Sequence, residues 1–116
     1  MSAGTHNITI DQGADFTLTF TVSEDGSAKN LSTYDVRADM RKKKEDSAPA
    51  AQFTGTVVTA ADGIAKITLA NSITKNLSAG HYFYDVEIFT SNDAEVIRIF
   101  QGLATVTREI TRWVFL

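Results

Sequence analysis

The clearest pattern along this chain is an alternation of period two. Phe16, Leu18, Phe20 and Val22 are separated by Thr17, Thr19 and Thr21, which predicts a strand with one apolar face for the core and a threonine face for water or another chain. Tyr34, Val36, Ala38 and Met40 alternate in the same way with Asp35, Arg37, Asp39 and Arg41. Charges of both signs on that second face predict cross-strand pairing or a solvated sheet surface. The longest predicted strand covers residues 81–90, with Tyr82, Tyr84, Val86 and Ile88 on one face and Phe83, Asp85, Glu87 and Phe89 on the other.

Shorter strands are expected over residues 5–10, 53–58, 64–69, 95–100 and 103–110, with bulges at Gly55 and Gly102. Turn chemistry separates them: Gln12-Gly13, Asp25-Gly26, Asp62-Gly63 and the run from Ser91 to Ala94. One helical turn is expected near residues 71–78, capped by Asn71 or Ser72, ended before Gly80, and holding Ile73 and Leu77 against the core. About eight short strands with turn signals between them predict a single antiparallel β-sandwich over residues 1–112, followed by an apolar tail.

Composition agrees. Thr, Val and Ile together make up 32 of the 116 residues, against six leucines, a balance that favours strands. The hydrophobic fraction of 43% supplies one real core. With no cysteine, disulfides, thiolate metal sites and a cysteine nucleophile are excluded. A net charge of −3 argues against a dedicated nucleic-acid binder. No apolar run is long enough for a membrane span and no secretory signal is visible, so a soluble product of cytosolic synthesis is expected.

The search for chemistry finds little. Asp35 with Asp39, and Asp85 with Glu87, fall on outward faces; His6 and His81 stand apart; there is no nucleophile elbow, phosphate loop or calcium-loop spacing. No catalytic residue, cofactor, metal or small-molecule substrate is therefore expected. The basic run from Arg41 to Lys44 is followed at once by Glu45 and Asp46 and reads as a solvated loop. What stands out is apolar surface. Phe83 and Phe89 lie on a polar face, Phe100 belongs to a strand apolar on both sides, and Trp113, Val114, Phe115 and Leu116 close the chain. These seven residues are the candidate partner interface.

Several segments in order resemble the small structural proteins of tailed phages. They are Ile8-Thr9-Ile10-Asp11-Gln12-Gly13-Ala14-Asp15-Phe16; Asn30-Leu31-Ser32-Thr33-Tyr34 with the strand from Val36 to Lys42; Asp62-Gly63-Ile64 with Ile67-Thr68-Leu69; Ala79-Gly80-His81-Tyr82-Phe83-Tyr84-Asp85-Val86-Glu87; and Val96-Ile97-Arg98-Ile99-Phe100-Gln101-Gly102 with Glu109-Ile110-Thr111-Arg112. Thr33 stands where glycine is common. The likeness spans residues 7–112. It implies an immunoglobulin-like sandwich in the virion, partnered by copies of itself and by other tail, baseplate or neck proteins, with no catalytic residues to carry over. A head-decoration protein, and a carbohydrate-binding module using Tyr34, Tyr82 or Phe83, are the alternatives.

Overall fold

The computed structural model describes residues 3–111. The fold is all-β. Its strands are β1 (Gly4–Thr5), β2 (Ile8–Asp11), β3 (Phe16–Thr21), β4 (Ser23–Glu24), β5 (Ser27–Ala28), β6 (Asp35–Arg41), β7 (Ala51–Thr59), β8 (Ile64–Leu69), β9 (Gly80–Phe89) and β10 (Val96–Thr107). One eight-stranded sheet runs in the order β1-β10-β9-β6-β7-β8-β3, with β2 also on β10; β4 and β5 form a separate hairpin. The hairpin turn is Asp25-Gly26, both residues at positive φ (53° and 81°), the conformation an Asp-Gly pair supplies most readily.

The sheet curls on itself at Gly55. Ala51 to Phe53 pair with β6, whereas Thr54 to Thr59 pair with β8, so β7 belongs to both halves. A Cβ on Gly55 would stand 2.1 Å from the Val36 carbonyl oxygen. Glycine is therefore the residue that lets the two halves close at this corner. The expected bulge in β7 lies two to three residues later, where Val58 is the extra residue.

Curling brings the strands' apolar faces together. The Phe20 and Phe100 rings, from β3 and β10, meet at 5.0 Å in a T-shape, and Phe53 bridges Phe16 (6.0 Å) and Tyr84 (6.3 Å). Met40, Ala65, Ile67, Val86, Ile88 and Ala104 are fully enclosed. The alternations of β6 and β9 hold residue for residue. In β3 the apolar face is only half-buried, and Val22 just beyond it is the enclosed member.

Several expectations are corrected. Residues 96–107 form one strand, not two, and Gly102 is not a bulge: it lies flat beneath the His6 carbonyl, where a Cβ would come within 2.3 Å. The bulge is at Ile99, because Arg98 pairs with Glu87 and Phe100 with Val86. That extra residue switches the facing, so Ile97 and Phe100 both point inward although they are three apart. The sheet is also not wholly antiparallel. β1 and β2 run parallel to β10, as two short pieces interrupted at His6 and Asn7. His6 N donates to Gln101 O (2.8 Å), the Asn7 side chain accepts from Leu103 N (3.0 Å), and the Tyr84 hydroxyl donates to His6 O.

The helix is a single turn, α1 (Asn71–Thr74); its enclosed residue is Thr74 instead of Ile73, which is exposed, while Leu77, just past its end, packs in the core as expected. No side chain of Asn71 or Ser72 caps it; the Asp15 carboxylate accepts from Asn71 N (2.7 Å) and Nδ2 (2.9 Å). The enclosed Thr74 hydroxyl donates to Ala14 O (2.8 Å) and accepts from Gly13 N (3.1 Å). Gln12 donates to Leu77 O (2.7 Å) and accepts from Glu109 N (3.0 Å). The Gln-Gly turn thus ties α1 to the end of β10 and leaves its own polar groups satisfied.

Candidate functional site

The outward face of β6, β9 and β10 is ordered in rows by strand register. Asp35, Phe89 and Val96 form the first row; Arg37, Glu87 and Arg98 the second; Asp39, Asp85 and Gln101 the third; Arg41, Phe83 and Leu103 the fourth. Two apolar patches, Phe89 with Val96 and Phe83 with Leu103, therefore lie about 20 Å apart along β9, with two charged rows between them.

The charged rows are internally satisfied. Arg37 reaches Glu87 at 2.9 Å and Asp93 at 3.2 Å, Arg41 reaches Asp39 at 3.2 Å, and Arg98 reaches Asp85 at 3.2 Å. Asp39 and Asp85 sit directly opposite each other, a repulsive cross-strand pair, and each is answered by its own arginine. Partial burial pushes the Asp85 carboxyl above its ordinary range; Glu87 and Asp39 add to the shift, while Arg98 and Arg41 oppose it.

An open trough of about 570 Å³ lies beside the fourth row, lined among others by Asp39, Arg41, Lys44, Phe83, Asp85 and Leu103. Phe83 is 37% exposed and Leu103 39%. Cations lie on the aromatic rings of this face: Lys44 Nζ is 5.0 Å from the Phe83 ring centre, and the Arg37 guanidinium is 4.4 Å from that of Phe89. Two exposed apolar side chains thus stand beside charges that are already ion-paired. Each of the two central carboxylates is held by an arginine. His81 meets the Thr105 hydroxyl (3.1 Å), and among the described residues no group of three or more His, Asp or Glu is placed to hold a metal ion.

The structure separates the sequence-derived interface residues. Phe83 and Phe89 do face outward, at opposite ends of β9. Phe100 does not: it packs inward against Phe20, Tyr84 and His6, because the Ile99 bulge turns it to the core. Trp113, Val114, Phe115 and Leu116 lie outside the described residues. Of the three aromatic residues weighed for stacking on sugar, Tyr82 is buried and donates to Ser78 O (2.6 Å), and Tyr34 is half-buried under Lys29 with its hydroxyl on Glu95. Only Phe83 is open. The sequence reading passed over Leu103 and Val96, which become exposed patch members only once the register across β9 is known.

No protein-family model matches the sequence, and no curated protein matches it. Among solved structures, a family 123 glycoside hydrolase from Clostridium perfringens matches 94% of this chain but 24% of its own, at 14% identity and a TM-score of 0.40. The N-terminal domain of phage TP901-1 ORF48 matches 87% of this chain and 84% of its own length, at 11% identity and a TM-score of 0.57. That domain and this chain share a fold.

Proposed function

We propose that this chain is a structural protein of a tailed-phage particle. On this reading it is an immunoglobulin-like module that docks sheet faces, sheet edges and Trp113 to Leu116 on neighbouring tail, baseplate or neck subunits, with no catalytic role and no cofactor. The observation that carries the reading is the fold shared, over nearly the whole of both chains, with a domain of a phage protein. The order of sequence segments that resemble tailed-phage structural proteins supports it independently. The Phe83–Leu103 patch is the described surface best suited to such docking.

The test is the composition of the particle. Gradient-purified particles of the phage or prophage that encodes the chain are expected to contain it, by quantitative mass spectrometry, at a fixed ratio to the major tail protein. Recovery only in the soluble lysate overturns the reading. Removing residues 113–116 is expected to leave a folded, soluble chain that no longer enters particles. Head decoration, the alternative placement, would instead give a fixed ratio to the capsid protein. A second reading, sugar binding at Phe83, is favoured by the open trough beside that ring. A glycan array that shows no hit for the intact chain would remove it.

A further inference from the structure

We propose that two copies of this chain pair edge to edge through β3, antiparallel and with Leu18 on the two-fold axis, to give one continuous sheet. β3 ends the strand order, and among the described residues no backbone hydrogen bond reaches Phe16–Thr21 from any element but β8. A free edge offers a row of N–H and C=O groups to any strand that comes alongside. Proteins that keep such an edge single guard it with a charge, a proline, a bulge or a very short strand. β3 has none of these: it is six uncharged residues, Phe-Thr-Leu-Thr-Phe-Thr, in unbroken register with β8. The edge at the other end of the sheet is different, split into pieces of two and four residues.

Symmetry in the sequence points to a second copy as the occupant. Residues 16–20 read the same in both directions, Phe-Thr-Leu-Thr-Phe. In the proposed register Leu18 faces its own counterpart, Phe16 faces Phe20 of the second copy, and Thr17 faces Thr19 of the second copy. Every apolar residue then keeps to the inner face and every threonine to the outer one. Such a two-fold contact is self-complementary by construction. Phe16, Leu18 and Phe20 are each only half-buried among the described residues, so a neighbouring strand removes apolar surface that those residues leave wet. Charge also fits, because Asp15, the acid next to the strand, falls opposite Thr21 of the second copy and no like charges meet.

This inference deepens the reading that copies of the chain assemble together. It is tested on the purified full chain, apart from particle incorporation. Sedimentation equilibrium over a wide concentration range is expected to show a monomer–dimer equilibrium for the wild type. The variant T17K/T19K sets like charges together twice across the two-fold, at positions exposed in the single chain, and is expected to weaken dimerisation about tenfold or more. The variant T17K/T19E sets opposite charges together in this register and is expected to dimerise within a few-fold of wild type. A wild type that stays monomeric, or a T17K/T19K dimer of unchanged affinity, overturns the edge pairing; equal loss in both variants overturns the register. Should either variant misfold by circular dichroism, Leu18→Cys decides. The chain has no other cysteine, so mild oxidation is expected to give a disulfide-linked dimer, and its absence overturns the proposal.

Discussion

Across β6, β9 and β10 the outward positions include Asp35, Arg37, Asp39, Arg41, Asp85, Glu87 and Arg98, whereas across β7, β8 and β3 they are Thr54, Thr56, Val58, Ile64, Lys66, Thr68, Thr17, Thr19 and Thr21. The same alternation builds both faces, and each lies over the same core. On the first face each acid of the two central rows has a basic neighbour, and the strands on both sides are paired. On the second face Thr54, Thr68 and Thr17 line up in one row and Thr56, Lys66 and Thr19 in the next, ending at a strand with no second partner among the described residues. Charge that is already neutralised at home has little left to offer a partner, and stripping water from it is costly. Threonines and a bare edge cost less to desolvate. The charged rows are thus self-contained, which leaves docking on that face to its Phe83–Leu103 patch, and the plain face is open to extension at its edge.

The largest expected effect sharpens the contrast by breaking the corner that joins the two halves. Gly55→Ala drives a Cβ into the Val36 carbonyl and is expected to cost about 3 kcal/mol, read from urea unfolding. Phe100→Ala empties an inward position between Phe20 and Tyr84 and is expected to cost about 2–3 kcal/mol, because the ring is partly rather than fully buried. Phe83→Ala, on the outer face, is expected to cost under about 1 kcal/mol. Equal losses for the two phenylalanines would erase the distinction between inner and outer positions on neighbouring strands.

Alkaline titration probes the core side. Burial pushes the Tyr84 hydroxyl from 10.0 up to about 12. A raised folded pKa means that the stabilising contribution is complete below pH 10 and is lost as pH rises through about 12. Thermal unfolding is expected to show that decline, with a shallower one in Tyr84→Phe. The smallest effects belong to the outer faces. Arg37→Ala removes two exposed ion pairs and the cover over Phe89, for an expected loss of about 1 kcal/mol or less that shrinks further in high salt. T17K/T19K also sets a new lysine opposite Lys66 within the chain and is expected to lower the single chain's unfolding free energy in urea by under about 1 kcal/mol. A large loss there would mean that the threonine face is already engaged within one chain.

The facing of β6 and β9 was legible because side-chain alternation is local and both strands are regular. So was the Asp25-Gly26 hairpin, which its two residues specify between them. Phe100 was misjudged because one inserted residue, Ile99, inverts the facing, and nothing in the run Val96 to Phe100 marks which residue is the extra one. Ile73 and Thr74 were exchanged for a related reason: a one-turn helix has no periodicity to read, and the burial of Thr74 follows from hydrogen bonds to Gly13 and Ala14, about sixty residues away. The patch of Phe83 with Leu103 was half visible, since one partner stood out on a polar strand and the other needed the β9–β10 register.

The parallel attachment of β1 and β2 to β10 has a consequence in time. Asn7 meets Leu103, and Asp11 meets Thr107, across a sequence separation of 96 residues. A growing chain therefore holds β1 and β2 without their β10 partner until β10 has emerged from the ribosome, and the entropy of closing so long a loop must be met before any of those bonds form. Domains dominated by such distant pairings fold on a scale of roughly milliseconds to seconds. Through that interval the β3 edge and the unfilled side of β10 are open together, so the order in which they close decides whether a newly made chain finds its own N-terminus or another copy first.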